Sequence, residues 1–183
     1  MKVNYIRKCG PEYISGAIQA TSGKQMTSLR PISTKLWSSL LNTAGGVPHS
    51  PIRAVEYRLF IYDVPSWVTT HYSRHHVGSQ PYIFSQRDDR NLRNIIPRSE
   101  EKQGKLINMI LDLNVNSILD IAKARLCSKA ADKTREVFIE FKRQLSSSVD
   151  EYDQILASYM KPPCEWYQKC FEIIPCAMEK SNE

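Results

Sequence analysis

The sequence predicts an α+β fold in one domain, and three observations predict it. Val55, Tyr57, Leu59 and Ile61 alternate with Glu56 and Arg58, the period-two pattern of a half-buried strand. Elsewhere apolar residues recur at helical spacing, in Leu36, Trp37, Leu40 and Leu41 and again in Val137, Phe138, Phe141 and Leu145. The length, 183 residues, suits one core, since a domain commonly holds ~100–200.

Residues 2–7 alternate weakly and suit a first strand, with Val3 and Ile6 as its apolar members. Residues 10–33 are rich in Gly, Ser, Thr and Pro without a clear period, which predicts loop with room for one short helix. Ser33 and Thr34 then open the helix of Leu36, Trp37, Leu40 and Leu41, and Ala44, Gly45 and Gly46 end it. A stiff segment from Val47 to Pro51 leads into the strand around Tyr57. Asp63, Val64 and Pro65 read as a helix start, because Asp accepts from first-turn N–H groups and Pro tolerates the first turn. That helix, over about 65–75, places Trp67, His71 and Arg74 or His75 on one face. Residues 88–104 are dense in charge and yield no element, and 105–113 fits a strand or a helix equally. Asn114 or Asn116 caps a helix through Ile118, Leu119, Ile121, Ala122 and Leu126. Two more helices follow, on Val137 to Leu145 and on Tyr152, Ile155, Leu156 and Tyr159, and Pro162 and Pro163 stop the second. The expected division is a domain over 1–160 and a Cys-containing tail over 161–183.

A hydrophobic share of 42% argues against disorder, and a net charge of +6 favours an anionic partner. Nucleic acid, a membrane surface and phosphorylated metabolites all satisfy that charge. No run approaches the ~20 apolar residues of a membrane span, and the first residues lack a signal peptide's apolar core. A cytoplasmic protein is therefore expected. Five cysteines, odd in number and widely spaced, suit reduced thiols better than a disulfide framework.

The densest chemistry lies in residues 71–87. His71 is followed by the triplet Arg74, His75 and His76, then a turn on Gly78, Ser79 and Pro81, then Ser85, Gln86 and Arg87. Guanidinium forks, ring N–H donors, small hydroxyls and approachable backbone N–H groups together suit an anionic ligand. A solvated helix end favoured by the helix dipole is the plain alternative. His71 and His75 stand four apart, as a metal pair would, but position 72 is Tyr rather than the Glu of a zinc protease motif. No metal site is expected there.

This stretch resembles the signature of the flavin-dependent thymidylate synthases, the ThyX family, which reads Arg-His-Arg-x-x-Ser-x-Asn-Glu-x-Ser-x-Arg. Arg74, His75, Ser79, Ser85 and Arg87 answer to it, with one extra residue between the serines. His76 replaces the second Arg, and Pro81 and Tyr82 stand where Asn-Glu would be. Further on, the family's Asn-x-x-Ser-Leu with an Arg seven residues later is met by Asn114, Ser117, Ile118 and Arg125. Ala130, Ser50-Pro51 and Pro65 also fall at family positions, so the resemblance runs over roughly residues 48–136. Arg53-Ala54 replace a Glu-His, Asn116 an Arg, Asp120 an Asn and Lys129 a His.

The resemblance implies a mostly antiparallel central sheet flanked by helices, in a homotetramer whose active sites form between subunits. It implies methylation of dUMP to dTMP, with methylenetetrahydrofolate as carbon donor and FAD, reduced by NADPH, as hydride source. Carried over residue by residue, Arg125 polarises the uracil and Arg74 bridges nucleotide and flavin. Ser85, Gln86 and Arg87 hold the nucleotide phosphate, and His71 stands for a nucleotide-binding Gln. His75, His76, Ser50, Asn114, Asn116, Asp120 and Lys129 fall at flavin-side positions. Two other outcomes stay open: a related alkylation of a pyrimidine nucleotide, and a nucleotide or flavin sensor without turnover. Nucleic-acid binding through Arg87, Arg90, Arg93 and Arg98 is a less favoured class. Cys164, Cys170 and Cys176 recur every six residues, not a usual zinc spacing, and a fourth ligand would have to be Cys9 or Cys127. Buried or free thiols are the expectation for the tail.

Overall fold

The computed structural model describes residues 1–25, 29–42, 48–85, 87, 89 and 96–176. Strand β1 (Lys2–Cys9) leads to helices α1 (Glu12–Thr21) and α2 (Thr34–Leu41), then a 3-10 turn over Ser50–Ala54. Strand β2 (Glu56–Pro65) runs into α3 (Ser66–Ser73), and β3 (Ser79–Ile83) and β4 (Leu106–Asn114) complete the sheet. Helices α4 (Val115–Arg125), α5 (Asp132–Ser146), α6 (Glu151–Tyr159) and α7 (Pro163–Tyr167) follow. The four strands lie in the order β1-β2-β4-β3, every neighbouring pair antiparallel. The α+β class and its antiparallel sheet are as expected.

One sheet face is dry. Val3, Leu59, Ile61, Met109, Leu111 and Leu113 are buried there in one core with Phe138 and Phe141 of α5 and Leu156 of α6. On the opposite face Arg58 gives Asp112 a bidentate pair at 2.6 and 2.7 Å, with Lys8 adding a third contact at 3.0 Å. The helices start where local side-chain chemistry allows. Ser33 accepts from the Leu36 N–H at 3.2 Å, Asn114 from Ser117 at 2.9 Å and Asp150 from Tyr152 at 2.8 Å. Asn114 is thus the cap of α4. Asn116 instead lies buried within the helix, its amide donating to Asp120 at 2.8 Å.

Three sequence expectations are corrected. Asp63 does not cap α3, because β2 continues through Pro65 and the helix begins at Ser66 and ends at Ser73. The register shifts between Ile61 and Val64, Asp63 takes φ +54°, and its N–H donates to Asn108 Oδ1 at 3.1 Å. Asp tolerates that left-handed conformation, and pairing of Val64 and Pro65 with Ile107 and Leu106 keeps the chain extended. Next, Gly78 turns with φ +70°, but Ser79 to Ile83, Pro81 included, go on as strand β3. Proline cannot donate to a ladder, and β3 is an edge strand, where that loss is tolerated. Last, Pro163 does not merely stop α6 but opens α7, whose Trp166 stacks on Tyr159 at 5.8 Å between centroids.

The ambiguous 105–113 segment resolves as β4, because it pairs on both sides. The short helix allowed within 10–33 is α1. Arg98–Glu100 forms a 3-10 turn within the segment that gave no element. Ala44, Gly45, Gly46, Gln86, Arg90 and Arg93 lie outside the described residues. Among the described residues no helix is long and apolar enough to cross a membrane.

Candidate functional site

The C-terminal turn of α3 and the loop into β3 are fixed against α4 by backbone chemistry. The Gly78 carbonyl accepts from the Asn114 N–H at 3.0 Å and the Ser117 hydroxyl at 2.7 Å. A Cβ on Gly78 would stand 2.3 Å from Asn114 Nδ2, so both the positive φ and the close approach require glycine. Asn114 and Ser117, which the sequence marks by spacing, therefore clamp the loop that carries Arg74, His75 and His76.

From the other side α5 and α4 orient α3. His71 Nδ1 lies 2.8 Å from Thr134 Oγ1, and the buried Tyr72 hydroxyl donates to the Thr134 carbonyl at 2.6 Å. The Trp67 ring meets His71 edge-on at 5.4 Å. Arg125, the last residue of α4, reaches across to donate from Nη2 to the His71 carbonyl at 2.9 Å. His71, Arg74, His75 and Arg125 thus share one corner of the molecule.

That corner is cationic. Burial, then the Arg125 and Arg74 charges, hold His71 below its ordinary value. Burial and then Arg125 lower His75 as well, with Asp120 partly opposing. Burial draws even the Arg125 guanidinium down, the Arg74 charge adds to this and Tyr72 offsets part of it. Both imidazoles are therefore held toward the neutral form, and among the described residues no carboxylate pairs with the Arg74 or Arg125 guanidinium beside them. Among the described residues three buried side-chain atoms lack a hydrogen-bond partner: His75 Nε2, Ser79 Oγ and Arg125 Nε. Buried polar atoms are nearly always satisfied, so three orphans on residues of the signature segment and the Arg125 helix call for a reason.

The surface around this corner divides into clefts. Arg74, His75, His76, Ser117 and Asp120 line one of about 180 Å³. His76, Ser79 and Asn114 line a second of about 340 Å³ that reaches Lys8 and Asp112. Ser85 and Arg87 lie in a third, about 500 Å³, with Trp67, Thr70 and Arg98. No described cleft holds both Arg125 and Arg87. The Arg87 guanidinium is engaged by Asp89 at 2.8 and 2.7 Å, and the Arg87 backbone N–H donates to Ser85 Oγ at 3.4 Å. Ser50 is exposed at the head of the 3-10 turn that packs on α4, and Lys129 is exposed in the turn between α4 and α5. Sequence reasoning placed Trp67 on the His71 face of the helix but missed Thr134 as a partner of His71. Trp67 stands four residues before His71 on α3, a signal that helical spacing contains, whereas Thr134 lies 63 residues away and no sequence pattern links the two.

What the fold and the corner define is an α+β protein whose four-stranded antiparallel sheet supports a cationic helix junction. Among solved structures that fold is shared with thymidylate synthase X (ThyX) from Helicobacter pylori, crystallised with FAD and dUMP, at a TM-score of 0.62 and 12% identity. The match covers 87% of this chain and all of that one. A second structure of the flavin-dependent enzyme from Helicobacter pylori, also complexed with FAD and dUMP, gives 0.62 and 13% over 88% of this chain and 100% of that one. No protein-family model and no curated protein matches the sequence. At such identity the likeness is one of fold.

Proposed function

We propose that this chain is a divergent flavin-dependent thymidylate synthase that methylates dUMP to dTMP with methylenetetrahydrofolate, FAD and NADPH. One observation carries the reading: the three orphaned polar atoms fall on His75, Ser79 and Arg125, all three at positions matching that family's motifs. Two of the three, Arg125 Nε and His75 Nε2, suit donation to a pyrimidine carbonyl or an anionic oxygen. The fold shared with proteins that bind FAD and dUMP supports it.

The residues present fit the donor chemistry of a flavin and a nucleotide, but not the space of one chain alone. The cleft beside Arg74 and His75, about 180 Å³, is below the ~300–1,000 Å³ of common ligand pockets, so a second copy would have to complete it. In that assembly Arg74, His75 and His76 hold the flavin side, with Ser50, Asn114, Asn116, Asp120 and Lys129 as further flavin-side candidates. His71, Ser85, Gln86 and Arg87 hold the nucleotide, Arg87 exchanging Asp89 for a phosphate. Arg125 donates to the uracil as negative charge grows there. Bound FAD would supply hydride chemistry, and the protein's part is to place and polarise.

The test is the absorption spectrum of the purified protein, then titration with dUMP and a measurement of NADPH oxidation. A flavin band and dUMP-dependent oxidation are expected. A colourless protein that takes up no FAD on reconstitution would overturn the proposal.

One feature favours a second reading, a nucleotide or flavin binder without turnover. Tyr82 stands where the family's signature has Glu, and its ring packs under Arg58 at 6.0 Å on the open sheet face. Flavin and dUMP binding with no dUMP-dependent oxidation would select it.

A further inference from the structure

An imidazole offers a ligand either a proton or a lone pair, and the choice for His71 is made on its hidden side. His71 Nδ1 lies 2.8 Å from Thr134 Oγ1. Thr134 is fully buried in the first turn of α5, and among the described residues its hydroxyl meets no other hydrogen-bonding atom. If Nδ1 carried the ring proton, the hydroxyl hydrogen would be stranded out of reach of water, which is costly for a buried donor. If the hydroxyl donates to Nδ1 instead, both atoms are satisfied and the ring proton sits on Nε2. Nε2 is engaged by no described protein atom and is not one of the buried orphans, so it faces solvent.

The surroundings hold the two groups in that relation. The Thr134 carbonyl accepts from the Tyr72 hydroxyl at 2.6 Å, and the Thr134 N–H donates to the Ala131 carbonyl at 2.9 Å. Trp67 packs edge-on against the ring, and Arg125 Nη2 holds the His71 backbone carbonyl. Burial, the Arg125 charge from α4 and the Arg74 charge from the end of α3 all oppose a second proton on the ring. The position on α3 joins two clefts as well. Trp67 and Thr70 line the cleft of Ser85 and Arg87, Arg74 lines the cleft of His75 and His76, and His71 lies between them on the helix. From Trp67 to Arg74 the helix rises about 10 Å, so a ligand that reaches from one cleft to the other passes the exposed ring nitrogen.

We infer that Thr134 is a positioning residue whose hydroxyl fixes His71 as the Nε2–H tautomer, making His71 a neutral hydrogen-bond donor to an oxygen atom of the bound nucleotide. The tautomer follows from the geometry alone, while the nature of the ligand rests on the function proposed above. A ring fixed in this way takes a phosphate or pyrimidine carbonyl oxygen, both acceptors. It has no lone pair left to accept from an amino group or to take up a proton from the substrate. His71 therefore orients the ligand and is not a base. Thr134, being buried, touches no ligand and acts only through the ring.

The full wild-type chain, with nitrogen-15 in its imidazoles, is measured by NMR near neutral pH, and His71 is identified by the signals lost in His71→Gln. The expected pattern is a protonated Nε2 and an Nδ1 with the shift of a lone-pair nitrogen that accepts a hydrogen bond. A protonated Nδ1 in the wild type overturns the inference without recourse to any Thr134 variant. Thr134→Val, which keeps the shape and deletes the hydroxyl, should lose the hydrogen-bonded Nδ1 signal and weaken dUMP binding roughly three- to tenfold. Thr134→Ser, which keeps the hydroxyl, should retain both. An unchanged Nδ1 signal in Thr134→Val, or equal weakening of dUMP in the Val and Ser variants, assigns Thr134 to packing and overturns its positioning role. A wild type that shows the expected tautomer but takes up no dUMP confirms the hydrogen bond and overturns the nucleotide reading instead.

Discussion

Two buried polar clusters flank the same core, and they are built on opposite terms. Between β1, β2 and α6 the buried Asp153 carboxylate accepts from Tyr57 at 2.6 Å, Tyr5 at 2.8 Å, Ser148 at 3.1 Å and Arg7 at 3.2 Å. Arg7 also pairs with Asp150, which caps α6. Burial and then the Asp153 charge push the Tyr57 hydroxyl far above its usual range, so it stays a donor. At the junction of α3 and α4, by contrast, Arg125, His75 and Ser79 each keep a buried polar atom with no partner. A closed network of this kind rigidifies, whereas an open one leaves buried polar atoms unsatisfied.

Substitutions can break that contrast. The largest effect is expected from Asp153→Ala, which strands two tyrosine hydroxyls and leaves Arg7 with Asp150 alone, and it should cost about 3–5 kcal/mol in a denaturant titration. A loss under about 1 kcal/mol would remove the network from the architecture. Tyr57→Phe, deleting one bond to a buried carboxylate, should cost about 1.5–3 kcal/mol by the same measurement. Arg125→Met keeps the length of the side chain and should change stability by no more than about 1 kcal/mol while the response to dUMP disappears. If it destabilised as severely as Asp153→Ala, Arg125 would be a structural group.

A subtler effect lies in pH. His75 is held below its ordinary value near 6.5 when folded, by burial first and Arg125 second. The unfolded chain therefore binds the proton more readily, so the His75 contribution is full above that value and is lost as pH falls below it. Arg125→Met should raise the His75 midpoint partway in an NMR titration, since the burial part remains. No movement would mean that the two groups are uncoupled. Smallest of all, Ser79→Ala removes a hydroxyl without a partner and should be neutral or stabilising by less than about 1 kcal/mol.

Much of this was readable in advance because it is local. Ser33, Asn114 and Asp150 begin their helices through bonds to residues only two or three positions on, and the apolar spacing of α2, α5 and α6 names their buried faces. The residues Arg74, His75 and Arg125 were visible through the resemblance to a family motif, and the structure brings them to one junction. Strand β3 was not, because Pro81 and Gly78 read as a turn and only an edge position beside β4 makes Pro81 acceptable. Asp63 misled for a similar reason: its side chain suits a cap, but pairing to β4 runs past it.

The sequence by itself determined the α+β class, the starts of α2 and α4 and the types of residue available to grip an anion, since propensity, capping and periodicity act within a few positions of chain. Only the tertiary structure decided that 106–114 is a strand, that Thr134 orients His71 and that Cys127 Sγ meets Glu172, 45 residues further on. Each of those depends on contacts between segments remote in sequence, and such contacts exist only once the shared core has brought the segments together.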